Sequence, residues 1–327
     1  MHQIVIDCDI GNGIAGANVD DGLALALALT NNQIKLEAIT TVSGNVLNYK
    51  AQASAENFLR QSGYRADVFC GSAQALSEPC QLWRERLDNS VDKLGYRYLW
   101  ADNNLQVDNK SSTSEDAVDK LYDLICKYPQ QINIIAIGPL TNIAKLLCKY
   151  QDAAFKIKSI ILMGGCFNVK NYLKDTNFGV DPEAASIVLQ STVPVVMAPF
   201  DTTIKTMLTK QDLRDIQEIA TPLTDYLVKT TRPWLEYSIK TRNIEGCWIH
   251  DVLTVAYLID ESLVKTEDHF VNIELTGVFR GKTYIADEGY LKNADGIKPC
   301  SSRKIKIITE VDNKSLVKLI KDSLRSS

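Results

Sequence analysis

Histidine is scarce in this chain, with three in 327 residues, and no cysteine pair has C-x-x-C spacing. A zinc site needs closely spaced imidazoles and thiolates, so that chemistry is set aside. The eight cysteines, Cys8, Cys70, Cys80, Cys126, Cys148, Cys166, Cys247 and Cys300, lie mostly in apolar segments. They read as reduced thiols of a cytoplasmic protein. An excess of positive charge is also lacking: 36 basic residues face 40 acidic ones, for a net charge of −4. Nucleic acid is therefore an unsuitable partner. No apolar run approaches the ~20 residues of a membrane helix, and the longest obvious one is Leu23 to Leu29. The N-terminus enters a strand without a basic start or long apolar stretch, so no secretory leader is expected. Linkers, repeats and low-complexity segments are absent too, and residues 1–327 read as one domain.

What is present alternates. Strand-like runs are QIVIDC, KLEAITTV, DVFC, INIIAI, SIILMGG and VPVVMA. Helix-like runs between them include Asp21–Thr30, Asn48–Gln61, Glu115–Lys127, Leu140–Lys149 and Pro182–Gln190. This order predicts an α/β fold with a doubly wound, mostly parallel sheet, helices on both faces, and extra C-terminal helices and β pieces. LALALAL could pass for a strand by its period of two. Alanine and leucine favour helix, and two aspartates stand ready to cap its start. The stretch Gly71 to Thr113 breaks the alternation and reads either as a functional lid or as a solvated insertion.

GNGIAG, Gly11 to Gly16, is a literal G-x-G-x-x-G between a strand and a helix, the setting of a dinucleotide loop. Four aspartates, Asp7, Asp9, Asp20 and Asp21, frame it. Two carboxylates ~4 Å apart repel by roughly 4 kcal/mol at an effective dielectric of 20. A pyrophosphate would worsen this, whereas a divalent cation reverses its sign. Glu37, at nearly the spacing of a ribose-binding acid, falls at the wrong end of its strand. The loop therefore reads as an oxygen cage. Asp7 and Asp9 share one side of a strand end, and Asp20 and Asp21 open a helix whose dipole favours negative charge. Oxygen donors without thiolate or imidazole suit a hard cation, calcium or magnesium.

With these residues in view, the chain resembles the inosine-uridine preferring nucleoside hydrolases. Their hallmark is D-x-D-P-G-x-D-D. Here it reads DCDIG and then, after an insertion, VDDGLAL. Ile10 replaces the usual proline, and NGIAGAN, Asn12 to Asn18, lengthens the loop as in a long-loop subgroup. Four further stretches follow in the family's order: TTVSGN, IGPLTNIA, ILMGG with TNFGVDPEAA, and HDVLTVA. The resemblance spans most of the chain and is weakest over Gly71 to Thr113. Many members carry V-H-G there, where this chain has Val91-Asp92-Lys93-Leu94-Gly95.

The resemblance implies a calcium-dependent hydrolase of purine or pyrimidine ribonucleosides, cytoplasmic, a homodimer or homotetramer, with no nucleic-acid or membrane partner. Asp9 resembles the metal ligand that also acts as general base. Asp21 and Asp251 resemble further metal ligands, with the carbonyl of Ile137 completing the protein set and Asp7 standing behind it. Asp20, Asn45 and Asn177 would hold ribose hydroxyls, and Met163 would pack on the sugar. Asp175 stands where the family has glutamate, as a shorter acid towards the 5′-hydroxyl. Asn171, ahead of Asn168, matches another family asparagine.

Cleaving an N-glycosidic bond passes through an oxocarbenium-like sugar. The reaction needs an activated water, a grip on the ribose and a proton for the departing base. His250, beside Asp251 and able to titrate near neutral pH, is the candidate acid. Trp83, Trp100, Phe167, Trp234 and Tyr237 could stack on a base or simply pack in the core. Competing readings are an aspartyl-phosphate phosphohydrolase, a dinucleotide oxidoreductase and a non-catalytic nucleoside-binding protein.

Overall fold

The computed structural model describes residues 1–79, 90–102, 105, 107, 115–287 and 303–326. Strands β1 (His2–Cys8), β2 (Ile34–Thr41), β3 (Val68–Cys70), β4 (Ile132–Ala136), β5 (Ser159–Met163) and β6 (Val195–Ala198) fall where the apolar runs placed them. Two short strands, β7 (Met207–Thr209) and β8 (Gly246–Trp248), pair with each other apart from the main sheet. Further along come β9 (Val264–His269), β10 (Val271–Ile273), β11 (Thr283–Ile285) and β12 (Ile305–Val311). The main sheet has the order β3-β2-β1-β4-β5-β6-β12-β9. It is parallel except for the edge pair β12–β9.

Alternation along the inner strands sorts side chains onto two faces. Ile4 and Ile6 of β1 join one core with Ile135 of β4, while Val5, Ile134 and Ala136 join the other. Both faces are covered, so the central strands read as nearly continuous hydrophobic runs. Helix α1 (Asp20–Thr30) lacks a polar face because it is buried on all sides. It packs on the helices Val252–Ile259 and Asn313–Arg325, and Leu23, Leu25 and Leu27 are each 0% exposed. Each such leucine contributes about 1.5–3 kcal/mol over its exposed state. Neither aspartate caps α1, contrary to expectation: the N-cap is Val19, without a side-chain cap. Asp20 and Asp21 are instead the buried first turn.

The C-terminal β pieces divide. HFVNIEL straddles the end of β9 and a separate hairpin, β10–β11, whereas RKIKIIT supplies β12 to the main sheet. No described helix is long and apolar enough to cross a membrane. Of the Gly71–Thr113 segment, the described part packs Trp100 against Tyr237 of the helix Pro222–Arg242, ring centroids 5.8 Å apart.

Candidate functional site

Strand order reverses between β1 and β4, and crevices at such switch points, outside the carboxyl ends of strands, take ligands. A cavity of about 170 Å³ lies there. Asp9 enters it just past β1, Asp20 and Asp21 from α1, and Asp251 from just ahead of the helix Val252–Ile259. Ile137 follows β4, and Met163 ends β5.

Asp20, Asp21 and Asp251 bring one carboxylate oxygen each within 4.8 Å of one another. The Asp9 N–H donates to Asp21 Oδ1 (3.2 Å), and the Asp251 N–H donates to Asp20 Oδ2 (3.3 Å). Asp20 Oδ1 is buried without a partner. Burial, and then the neighbouring carboxylates, push Asp21 and Asp251 well above the usual carboxylate range. Burial also pushes Asp20 up to about 6, against the pull of the Asp251 N–H. An all-oxygen cluster with an orphaned buried acceptor fits a hard divalent cation. Asp251, and not Asp7, joins Asp9, Asp20 and Asp21 in the crevice, and Asp175 lines it as well. Asp7 stays outside the lining, accepting from Thr40 Oγ1 (2.6 Å) and Asn142 Nδ2 (2.7 Å), and burial pushes it to about 6.

Asp9 Oδ2 accepts the N–H of Asn45. That approach requires Gly44, because a Cβ there would collide with Asp9 Oδ2 and with Pro139. Asn45 itself lines the cavity, with its side chain paired to Asn18. Its Oδ1 accepts the Asn18 N–H and its Nδ2 donates to the Asn18 carbonyl, both at 3.1 Å.

Asn177 donates through Nδ2 to the carbonyls of Ile137 and Met163, 3.0 Å each. Two carbonyls fix the amide's orientation and leave Oδ1 as the atom to offer a ligand. Asp175 lines the cavity, yet it also caps the helix Thr176–Val180. It accepts from the N–H of Phe178 (3.0 Å) and of Gly165 (2.8 Å). Burial pushes it up to about 6 against those bonds. Asn171 and Asn168 are not brought in. Asn171 sits in an exposed turn at φ 69°, and Asn168 is exposed, its N–H bonded to Asp201.

An aromatic group lines the same cavity. Phe200 lies 4.9 Å from Tyr172 and 5.4 Å from His250, centroid to centroid, and Trp248 lies 5.6 Å from His250. The Arg242 guanidinium sits over Trp234 (4.8 Å) and Trp248 (5.2 Å). All six line the cavity. Of the aromatics proposed from sequence, Trp234 reaches the lining, whereas Trp100, Phe167 and Tyr237 do not. Trp83 lies outside the described residues. Trp248 carried a signal that was missed: two residues before His250 on an extended stretch, it shares His250's side. Arg242 carried none.

His250 lines the cavity with Nδ1 2.9 Å from Thr203 Oγ1. Burial first, and then the Arg242 cation, push it down to about 3. The expectation that it titrates near neutrality is thus corrected: its imidazole is neutral, because a charge there is desolvated and faces another positive group.

The family model described as inosine-uridine preferring nucleoside hydrolase matches residues 4–318. The pyrimidine-specific ribonucleoside hydrolase RihA of Escherichia coli O81 (strain ED1a) is 28% identical over 325 residues, covering 98% of each chain. RihA of Salmonella typhimurium (strain LT2) is 29% identical over 327 residues, again 98% of each. Among solved structures, the plant nucleoside hydrolase PpNRh1 aligns with a TM-score of 0.82 at 24% identity, over 100% of this chain and 99% of its own. The purine-preferring ribonucleoside hydrolase from Gardnerella vaginalis gives 0.77 at 24%, over 99% and 100%. At those identities the two structures speak for the fold.

Proposed function

Since the chain belongs to the inosine-uridine preferring nucleoside hydrolase family, and is thereby a ribonucleoside hydrolase that breaks an N-glycosidic bond, we propose that it works with calcium. The ion would be held by Asp9, Asp21, Asp251 and the Ile137 carbonyl. One observation carries this reading: the buried carboxylates of Asp21 and Asp251 converge with that of Asp20 within 4.8 Å, in a crevice that Asp9 and Ile137 also line. Bound there, a divalent cation supplies a water of lowered pKa and a positive charge for ribose hydroxyls.

The chain's own residues do the rest. Asp9, oriented by the Asn45 N–H, takes the proton of the attacking water. Asp20 accepts from a ribose hydroxyl through its orphaned oxygen, and Asn177 offers Oδ1 to another. Asp175, its oxygens already engaged, meets the 5′ end as a further acceptor, and Met163 packs on the sugar. Their dense negative charge favours a sugar that becomes cationic at the transition state.

His250 contacts the departing base as a neutral imidazole. If the Thr203 hydroxyl donates to Nδ1, Nε2 carries the hydrogen and stabilises the leaving nitrogen or carbonyl by a hydrogen bond while keeping its proton. Trp248, only partly buried, would meet a purine or a pyrimidine, since either base has a π-face, whereas Trp234 is already stacked on Tyr237 beneath Arg242. A phosphohydrolase would need a cationic grip on phosphate beside the carboxylates. Among the described residues no lysine lines the cavity, and Arg242 lies with the aromatic group.

The test is to incubate the protein with purine and pyrimidine ribonucleosides, with and without chelator, and measure reducing sugar. Ribose released with calcium and lost with chelator is expected. Undiminished release in chelator refutes the metal role, and no release from any ribonucleoside refutes the reading as a whole.

A further inference from the structure

The lengthened loop closes on itself and is anchored along its length. A Cβ on Gly11 would strike Ala17. Asn12 Nδ2 donates to Thr230 Oγ1 (3.0 Å), and the Asn12 carbonyl accepts from Ser54 Oγ (2.9 Å). The Gly13 carbonyl accepts from the Leu105 N–H (2.7 Å). At its far end Asn18 lines the cavity, its main chain clamped at both N–H and carbonyl by the Asn45 amide. Asn18 Oδ1 takes the Val19 N–H (2.9 Å), so what its side chain offers a ligand is the Nδ2 donor.

We infer that Asn18 is a further sugar-contacting residue of the reaction, and that Asn45 is a positioning residue acting through it. This rests on the function proposed above. Asn18 stands two residues before Asp20, and its clamp Asn45 also holds Asp9. It therefore belongs to the carboxylate side of the cavity, where the sugar lies, rather than to the aromatic side. The chemistry is complementary. Carboxylates only accept, so a ribose hydroxyl that donates to them has its oxygen left for a neutral donor. A loop anchored at several points presents that donor with little further ordering on binding.

The clamp uses only the main chain of Asn18, so Asn18→Ala removes the carboxamide and leaves the clamp, while Asn45→Ala removes the clamp. Asn18→Asp keeps an acceptor for Val19 and loses the donors. With uridine and inosine, kcat/KM should fall about tenfold in each Asn18 variant, the worth of one hydrogen bond. It should fall at least as far in Asn45→Ala. The Asn18→Ala/Asn45→Ala double variant should lose no more than about twofold beyond Asn45→Ala, as expected for residues acting as one unit. Against 2′-deoxyuridine and 3′-deoxyuridine, the losses from both sites should shrink on the same analogue. Thermal midpoints of all variants separate a misfolded loop from a lost contact.

Wild-type kcat/KM in both Asn18 variants overturns the inference, and so do losses that multiply. An Asn45→Ala loss that vanishes on an analogue where the Asn18→Ala loss persists also overturns it, because Asn45 then touches the sugar itself. If the wild-type protein hydrolyses none of these nucleosides, the proposed function fails. If it hydrolyses them and the Asn18 variants keep pace, this inference alone fails.

Discussion

Replacing Asp21 by asparagine should make the metal-free protein more stable and the calcium-loaded protein less able to gain. Facing oxygens of Asp20, Asp21 and Asp251 lie within 4.8 Å. Two full charges at that distance repel by about 3.5 kcal/mol at an effective dielectric near 20. Burial and mutual repulsion raise the Asp21 and Asp251 carboxyls; if the cluster escapes repulsion by keeping a proton, keeping one at neutral pH costs about 4 kcal/mol for a group whose ordinary pKa is near 3.9. The relief from Asp21→Asn therefore falls at about 2–4 kcal/mol. Its amide oxygen can still accept the Asp9 N–H that Asp21 Oδ1 accepts now. Calcium at a hundred times its Kd adds about 2.7 kcal/mol to the wild type by mass action. It should add far less to a variant lacking one charged ligand. In thermal unfolding with excess chelator, Asp21→Asn should melt several degrees above the wild type. In saturating calcium, the wild type should recover the difference and alone release ribose. A variant that melts below the wild type in chelator, or that gains as much from calcium, would show that these carboxylates are not held together against repulsion for an ion.

His250→Ala should reduce kcat for inosine and uridine about 10²-fold or more, but for a nitrophenyl riboside less than tenfold; equal losses rule out a role at the leaving group. Gly44→Ala should cut kcat by about a hundredfold, because the added methyl displaces Asp9 and small misplacements at the reacting centre are costly. The melting point should fall as well, because the methyl also meets Pro139, and unchanged kcat refutes the steric reading. The pair His269–Asp287 joins the end of β9 to the residues after β11. Burial pulls His269 down, but the Asp287 and Glu267 carboxylates outweigh it and hold its pKa above 6.5. Its stabilisation is thus complete below 6.5 and lost as pH rises through the raised value. Discounted for exposure, this amounts to a few tenths to about 1 kcal/mol. A wild type and His269→Gln whose stabilities run parallel between pH 5.5 and 8.5 would refute it.

Local chemistry was legible from the residues. β1, α1 and the helices Thr141–Lys149 and Pro182–Gln190 follow from apolar runs and helix formers only a few positions apart, and such patterns survive any tertiary arrangement. Asp9, Asp20 and Asp21 were legible for the same reason: strand end and helix start hold them close together in the chain. The resemblance to the family added Asp251, Ile137 and Asn177, which no local spacing connects to them.

Tertiary structure alone decided the rest. It set Arg242 over Trp234 and Trp248 and silenced the charge of His250. It paired the Asn45 amide with Asn18 and left Asn171 in an exposed turn. Desolvation and hydrogen-bond partnership depend on groups tens to hundreds of residues apart meeting in space. A string of residue types states which groups can pair, and only the folded chain states which of them do.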